Sequence, residues 1–302
     1  MLRSFTLPLF LAALVSCVPA AIPSAGLEML TMAEGSVGRS GLTRRFVRQF
    51  TNYAEPDGPL YTGEHVPAAP ATPNELVVVS YNVQYGEAID ETIKAFRTIA
   101  PLPEAGIVLL QEMDAPGVER LARELGYNYV YYPSSVAHDG DDFGNAILAR
   151  WPIVEPRKVI LPGLHPLTGQ QRTATRAVVQ IGELEVLAYS AHLEIATAPP
   201  ALRQEQVAAL VADVPEDAGA VVVGGDFNIM TGRGVSALAA RFADGELLHG
   251  SAGNGPTIKR YGLRVAAPDH VFARGFNVAG SGVLLGVSAS DHYPVWVRLE
   301  KQ

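Results

Sequence analysis

Leu76-Val77-Val78-Val79-Ser80-Tyr81-Asn82 is the stretch on which the fold turns. An apolar run without polar alternation is expected of a strand covered on both faces, and such strands lie inside layered α/β architectures. Ile107-Val108-Leu109-Leu110 and Ala220-Val221-Val222-Val223-Gly224 read the same way. Between them the period changes. Ile89, Ile93 and Phe96 recur at helical spacing, with Asp90 near the N-terminus and Pro101 as the stop; Val118, Leu121 and Leu125 mark a helix over 116–125, and Leu202, Val207, Leu210 and Val211 a third. Further strands are predicted over 127–132, 145–148, 154–161, 173–181, 184–191 and 295–299, near Val271, and over 283–287. Two runs of strands, each flanked by helices, predict two sheets packed face to face with helices outside, over roughly 230 residues.

Working outward, the N-terminal part has a different character. The chain has 302 residues, 48% apolar and 18% charged, which excludes a disordered or coiled-coil protein. Its single cysteine, Cys17, rules out internal disulfides and a multi-thiolate zinc site. Arg3 followed by an apolar run from Phe5 to Val15 has the form of an export signal too short to span a bilayer, and Leu14-Val15-Ser16-Cys17 resembles a bacterial lipobox. Residues 1–17 are therefore expected to be a signal ending in the lipobox cysteine. Residues 18–74, rich in Pro, Gly, Ser and Ala, are expected to be a tether, and 75–302 the folded domain. The expected location is the bacterial cell envelope, with Cys17 as the membrane anchor, or else a soluble periplasmic or secreted form. A net charge of −8 gives no general attraction to phosphate polymers or anionic lipid heads, although a divalent cation can bridge an acidic protein to a phosphate.

Polar groups follow the buried runs at five places. Asn82 ends the first; Glu112 follows Ile107-Val108-Leu109-Leu110-Gln111; His192 ends Tyr189-Ser190-Ala191; Asp226 and Asn228 flank Phe227 after Gly224-Gly225; and Asp291 and His292 follow Ser290. Each alone has an ordinary explanation as a turn, a cap or a solvated strand end. All five in one chain point to a site at a common sheet edge.

This set, together with Gly144-Asn145-Ala146-Ile147-Leu148, resembles the endonuclease/exonuclease/phosphatase superfamily over residues 76–299. The resemblance implies a deoxyribonuclease I-like fold, a four-layer α/β sandwich of two packed mixed β-sheets flanked by helices. It also implies a metal-dependent phosphoester hydrolase. Ala267-Pro268-Asp269 departs from the family pattern, which usually has an aliphatic residue before the aspartate.

A hard cation such as Mg²⁺, with Mn²⁺ or Ca²⁺ as alternatives, prefers oxygen ligands and few carboxylates. Glu112 fits as its main ligand, with Asn82 and Asp291 completing the shell by the resemblance. Asp226 is the first choice to deprotonate the attacking water and His292 the rival, paired by the resemblance with Asp269. Asn228 would hydrogen-bond the phosphate or the water. His192 would contact a phosphate oxygen or protonate the leaving group, oriented by Asn145, and Arg176 would reach a phosphate. His138 and Asp139 form a weaker substrate-contact candidate. The substrate is expected to be a phosphate ester: a small molecule, a lipid head group or a nucleic acid. No protein partner is implied. A nuclease would need a basic groove from Arg172, Arg176, Arg233, Lys259, Arg260 and Arg264 with Tyr261; a lipid or small-molecule enzyme would need a closed or apolar-rimmed pocket. A non-catalytic binding module is the third reading, disfavoured because every acid, amide and histidine position is filled.

Overall fold

Leu76–Asn82 lies inside a strand, Glu75–Asn82, β3 in chain order, buried along almost its whole length. The computed structural model describes residues 51–136 and 140–302, which fall within one compact unit, 47–302. The expected signal and lipobox, with Cys17, and the candidates His138 and Asp139 lie outside the described residues. The sheet containing β3 also holds β1 (Thr51–Asn52), β2 (Tyr61–Gly63), β4 (Ile107–Met113), β5 (Asn128–Val136), β6 (Asp142–Ala149), β15 (Phe276–Val283) and β16 (Val295–Lys301). Its order is β1-β5-β6-β4-β3-β16-β15, with β2 also on β5. A second sheet has the order β11-β14-β10-β9-β8-β7, from β7 (Ile153–Leu164), β8 (Gln171–Ile181), β9 (Leu184–His192), β10 (Ala220–Asp226), β11 (Leu248–His249) and β14 (Asp269–Arg274). β12 (Ile258–Arg260) and β13 (Leu263–Ala266) form a separate hairpin.

Both sheets mix parallel and antiparallel pairs, and their inner faces meet in one apolar layer. Leu76, Val78, Leu109 and Ile147 from the first sheet share that layer with Val179, Ala188, Val222 and Val271 from the second. Outside the first sheet, Val77, Val79 and Tyr81 pack on Ile93 and Phe96 of helix α1 (Ile89–Thr98) and on Val118 and Leu121 of α2 (Ala115–Leu125). Asp114 caps α2 by accepting from the Gly117 amide at 3.1 Å, and left-handed Gly126 ends it. Outside the second sheet, Tyr189, Val221 and Val223 pack on Val207 and Leu210 of α3 (Pro200–Asp213) and on Leu238 and Phe242 of α4 (Gly232–Ala243). The predicted four-layer α/β sandwich is observed.

Three features differ from the sequence reading. Residues 51–74 join the domain: β1 and β2 pair with β5, Lys158 Nζ donates to the carbonyls of Tyr53 and Gly58, and Asn128 Oδ1 accepts from the amides of His65 and Val66. Composition could not reveal these contacts because their partners lie about 60 to 105 residues away. The strand expected over 283–287 ends at Val283, where Leu284 to Val287 turn back. Helix α4 and the β12–β13 hairpin were not foreseen.

Gly225 in β10 marks a close approach of backbones. A Cβ there would lie 1.9 Å from the Ala191 carbonyl oxygen of β9, so no side chain fits without separating the two strands. Gly225→Ala is expected to cost about 3 kcal/mol or more, lowering Tm by roughly 6–12 °C in a thermal melt. An unchanged melt would mean that β9 and β10 separate without cost.

Candidate active site

Strand register assembles most of the site. Parallel β9 and β10 place His192 opposite Asp226, and antiparallel β14 places Asp269 on the other side of Asp226, so the three share one row across the second sheet. In the first sheet, parallel β3 and β4 carry Asn82 and Gln111 to the same edge. Alternation puts Gln111 on the inner face, where its Nε2 donates to Ser190 Oγ, and would turn Glu112 outward toward α2. A bulge between Leu110 and Met113, with Glu112 in the left-handed region at φ 57°, turns its carboxylate into the site instead.

Asn82 joins the two sheets. Its Nδ2 donates to Glu112 Oε1 at 3.0 Å and to Asp226 Oδ2 at 3.1 Å, while its Oδ1 accepts from the Gln84 amide. Asp226 Oδ2 also lies 3.6 Å from His192 Nε2 and 3.7 Å from His292 Nε2, and Asp226 Oδ1 accepts from the Asn228 amide. His292 Nδ1 is 2.8 Å from Asp269 Oδ2, which also accepts from Thr257 Oγ1. The Ser290 hydroxyl ties this segment to the Asn82 carbonyl at 2.8 Å.

Burial sets the charge states. It pushes Asp226 up to about 7 against the pull of His292, with Asp269 adding to the rise. Burial also raises Glu112, offset in part by the Asn82 hydrogen bond and by His292 and Arg172. For His292, burial alone would lower the pKa, but the charge and hydrogen bond of Asp269, with Asp226 and Asp291, raise it to about 10. Burial, Arg172 and His292 hold His192 well below the usual imidazole range, so it is neutral. Two groups of ligand atoms have the closeness needed to hold a metal ion: Glu112, His192 and Asp226, and Asp226, Asp269 and His292.

The Endonuclease/Exonuclease/phosphatase family profile matches residues 79–292, which span this entire constellation. The chain belongs to this family. Members of the endonuclease/exonuclease/phosphatase family are generally metal-dependent phosphoester hydrolases. Solved structures share the fold. An endonuclease/exonuclease/phosphatase from Beutenbergia cavernae is 21% identical, with TM-score 0.62 over 76% of this chain and 72% of its own. A mannosyl-6-phosphatase from Bacteroides thetaiotaomicron is 21% identical, with TM-score 0.56 over 74% and 99%. D. rerio TDP2, solved with a single-strand DNA product, is 18% identical, with TM-score 0.56 over 76% and 100%. No curated protein matches the sequence.

Of the predicted residues, this endonuclease/exonuclease/phosphatase domain brings together Asn82, Glu112, His192, Asp226, Asn228, Asp269 and His292. Asp291 is exposed at the rim; its carboxylate accepts from Ser290 Oγ and belongs to neither candidate metal group. Asn228 has its Nδ2 committed to the Leu193 carbonyl at 3.0 Å. Asn145 does not orient His192: its Nδ2 donates to the Thr173 carbonyl, and its Oδ1 is buried without a partner among the described residues. Arg176 is away from the site. It pairs across the strands with Tyr189 on the outer face and reaches Asp213 at 3.4 Å, because strand alternation fixes its side.

Arg172, named from sequence only as part of a basic groove, is buried at the start of β8 against His192 and Glu194. Glu194 had a signal in the i, i+2 spacing from His192. Thr257 and Phe143, whose ring lies 5.8 Å from His192, had none.

Proposed function

We propose that this chain is a Mg²⁺-dependent phosphoester hydrolase in which Asp226 accepts the proton of the attacking water. The observation that carries this reading is the position of Asp226, in reach of Asn82, His192 and His292 at once. A carboxyl pushed up to about 7 is matched to proton transfer near neutral pH. His292, protonated up to about pH 10, is poorly suited as the base and well suited to donate Nε2–H to a phosphoryl oxygen, with Asp269 fixing its ring. Neutral His192 donates a second hydrogen bond, and Arg172 holds it in place.

The donor set fits a hard cation. Glu112 and Asp226 bring two carboxylates together at 17% and 3% side-chain exposure, with an amide between them, and no thiolate is needed. Glu112 with Asn82 would hold the ion, the amide turning to offer Oδ1. When bound, it neutralises charge on the phosphate and on the leaving oxygen. The sequence basis for export and lipid anchoring is the Leu14–Cys17 motif.

Of the nuclease groove weighed from sequence, Arg172 is buried in the site and Arg176 lies on the outer face, while Lys259, Arg260 and Arg264 stand with Tyr261 on the β12–β13 hairpin. Hydrolysis should be measured with Mg²⁺ on a chromogenic phosphodiester and monoester, sphingomyelin, inositol phosphates, plasmid DNA and RNA. At least one is expected to be cleaved, with activity lost to EDTA and restored by excess Mg²⁺. Cleavage of none, or cleavage indifferent to EDTA, would sink the proposal.

A further inference from the structure

The β12–β13 hairpin stands directly on the site. At its base Thr257 holds Asp269, the Lys259 amide donates to the Asp291 carbonyl at 2.8 Å, and Ile258 bridges to His292. Among the described residues, nothing covers the apolar groups of its outer part. Tyr261 is 92% exposed, Leu263 67% and Val265 51%.

Tyr261 and Gly262 form the two-residue turn between paired Arg260 and Leu263, both with positive φ, 51° and 77°. Asn, Asp or Gly ordinarily takes the first of these positions, and a bulky aromatic there is strained. The Arg260 guanidinium lies 5.7 Å from the ring centroid, but an exposed contact of that kind contributes little, so the exposed Tyr in that conformation points to an interaction outside the chain. Residues 256–266 also carry Lys259, Arg260 and Arg264 and no carboxylate, in a chain of net charge −8.

The same edge carries further apolar groups. β7 runs parallel to β9, because each is antiparallel to β8, so Leu164 and the following Leu167 emerge at the same sheet edge as His192, two strands away, at 52% and 71% exposure. Ile195 and Met230 leave the ends of β9 and β10 there, at 36% and 39%. An exposed apolar rim next to cations is a poor match for a nucleic acid, which uses aromatic faces and phosphate contacts and gains little from aliphatic side chains. It matches an anionic lipid surface, where Tyr and aliphatic groups enter the interface and Lys and Arg meet the head groups. No helix among the described residues is long and apolar enough to cross a membrane.

We infer that the site edge, led by the Tyr261 hairpin, docks on an anionic lipid surface and presents the site to head-group phosphoesters. Docking itself is independent of the catalytic assignments above; only the head-group substrate rests on them. The single native cysteine makes the test direct. In the full chain carrying Cys17→Ala, Tyr261→Cys is labelled with an environment-sensitive fluorophore and mixed with phosphatidylcholine vesicles with or without phosphatidylglycerol. The expected result is a several-fold, blue-shifted rise that requires phosphatidylglycerol and weakens in high salt. A probe placed by Asp217→Cys, in the loop before β10 at the opposite edge, should stay unchanged.

In the same Cys17→Ala chain, Leu263→Ser with Val265→Ser should weaken vesicle binding by at least about tenfold while leaving hydrolysis of a soluble phosphoester intact. A silent probe at position 261, an equal response at 217, or a response to a single-stranded oligonucleotide but not to vesicles would overturn the inference. Because the probe reads docking without turnover, an inactive protein that still docks would count against the catalytic proposal alone.

Discussion

Asp226→Asn is expected to lower kcat/KM on a cleavable phosphoester by about 10³-fold or more, mostly in kcat. The substitution keeps the shape of the side chain, and its Oδ1 can still accept from the Asn228 amide. It removes the group that can take a proton, and with it part of the negative charge that holds His292 protonated. The folded protein should gain stability at the same time. A carboxyl whose pKa is raised on folding binds its proton more tightly in the native state, so its contribution falls as pH rises from its unfolded value through about 7. Above that range the native state carries a buried charge at a cost, and a neutral Asn removes it. Tm at pH 8 without divalent cation should therefore rise as activity collapses, the opposed pattern expected at a functional site. Steady-state kinetics with a melt on the same sample tests both, and activity within tenfold of the parent would transfer the proton acceptor's role to His292.

Glu112→Gln is expected to weaken Mg²⁺ binding by roughly 10- to 100-fold and to lower activity at fixed Mg²⁺ by at least as much, with partial recovery at high Mg²⁺. The bulge and the left-handed backbone at this position accommodate Gln as they do Glu, so a lost fold is not the expected cause. Calorimetric titration with Mg²⁺ reads the ligand role without any substrate. If Mg²⁺ affinity is unchanged while activity falls, Glu112 acts on the substrate instead, and the ion is held elsewhere in the cluster.

The buried runs were legible because a strand covered on both faces needs apolar residues at every position, whichever sheet it joins. Hence Val77–Val79, Leu109–Leu110 and Val221–Val223 announced the layers, and the polar residues that end them announced the site. Asn82, His192 and Asp226 were readable for that reason. The aspartate after Pro268 was readable only through the family pattern, yet it proves to be the hydrogen-bond partner of His292. The tether boundary was not readable. Strands as short as β1 and β2 exist only through pairing with β5, and a buried Lys158 secures the backbone between them from far along the chain.

What the sequence by itself determined was the inventory: two-sided strands, the helices that cover them, and oxygen and imidazole groups at one edge suited to a hard cation and a phosphate. Tertiary structure decided which of those groups meet. Alternation sent Arg176 outward and kept Asn145 on Thr173, while burial at the start of β8 drew Arg172 against His192. By the same alternation Glu112 would have pointed away from the site, and a bulge visible only once β4 is paired with β6 turned it back. The physical reason is that residue type fixes what a side chain can do. Register, bulges and desolvation are properties of paired strands, and they fix where it does so and in which charge state.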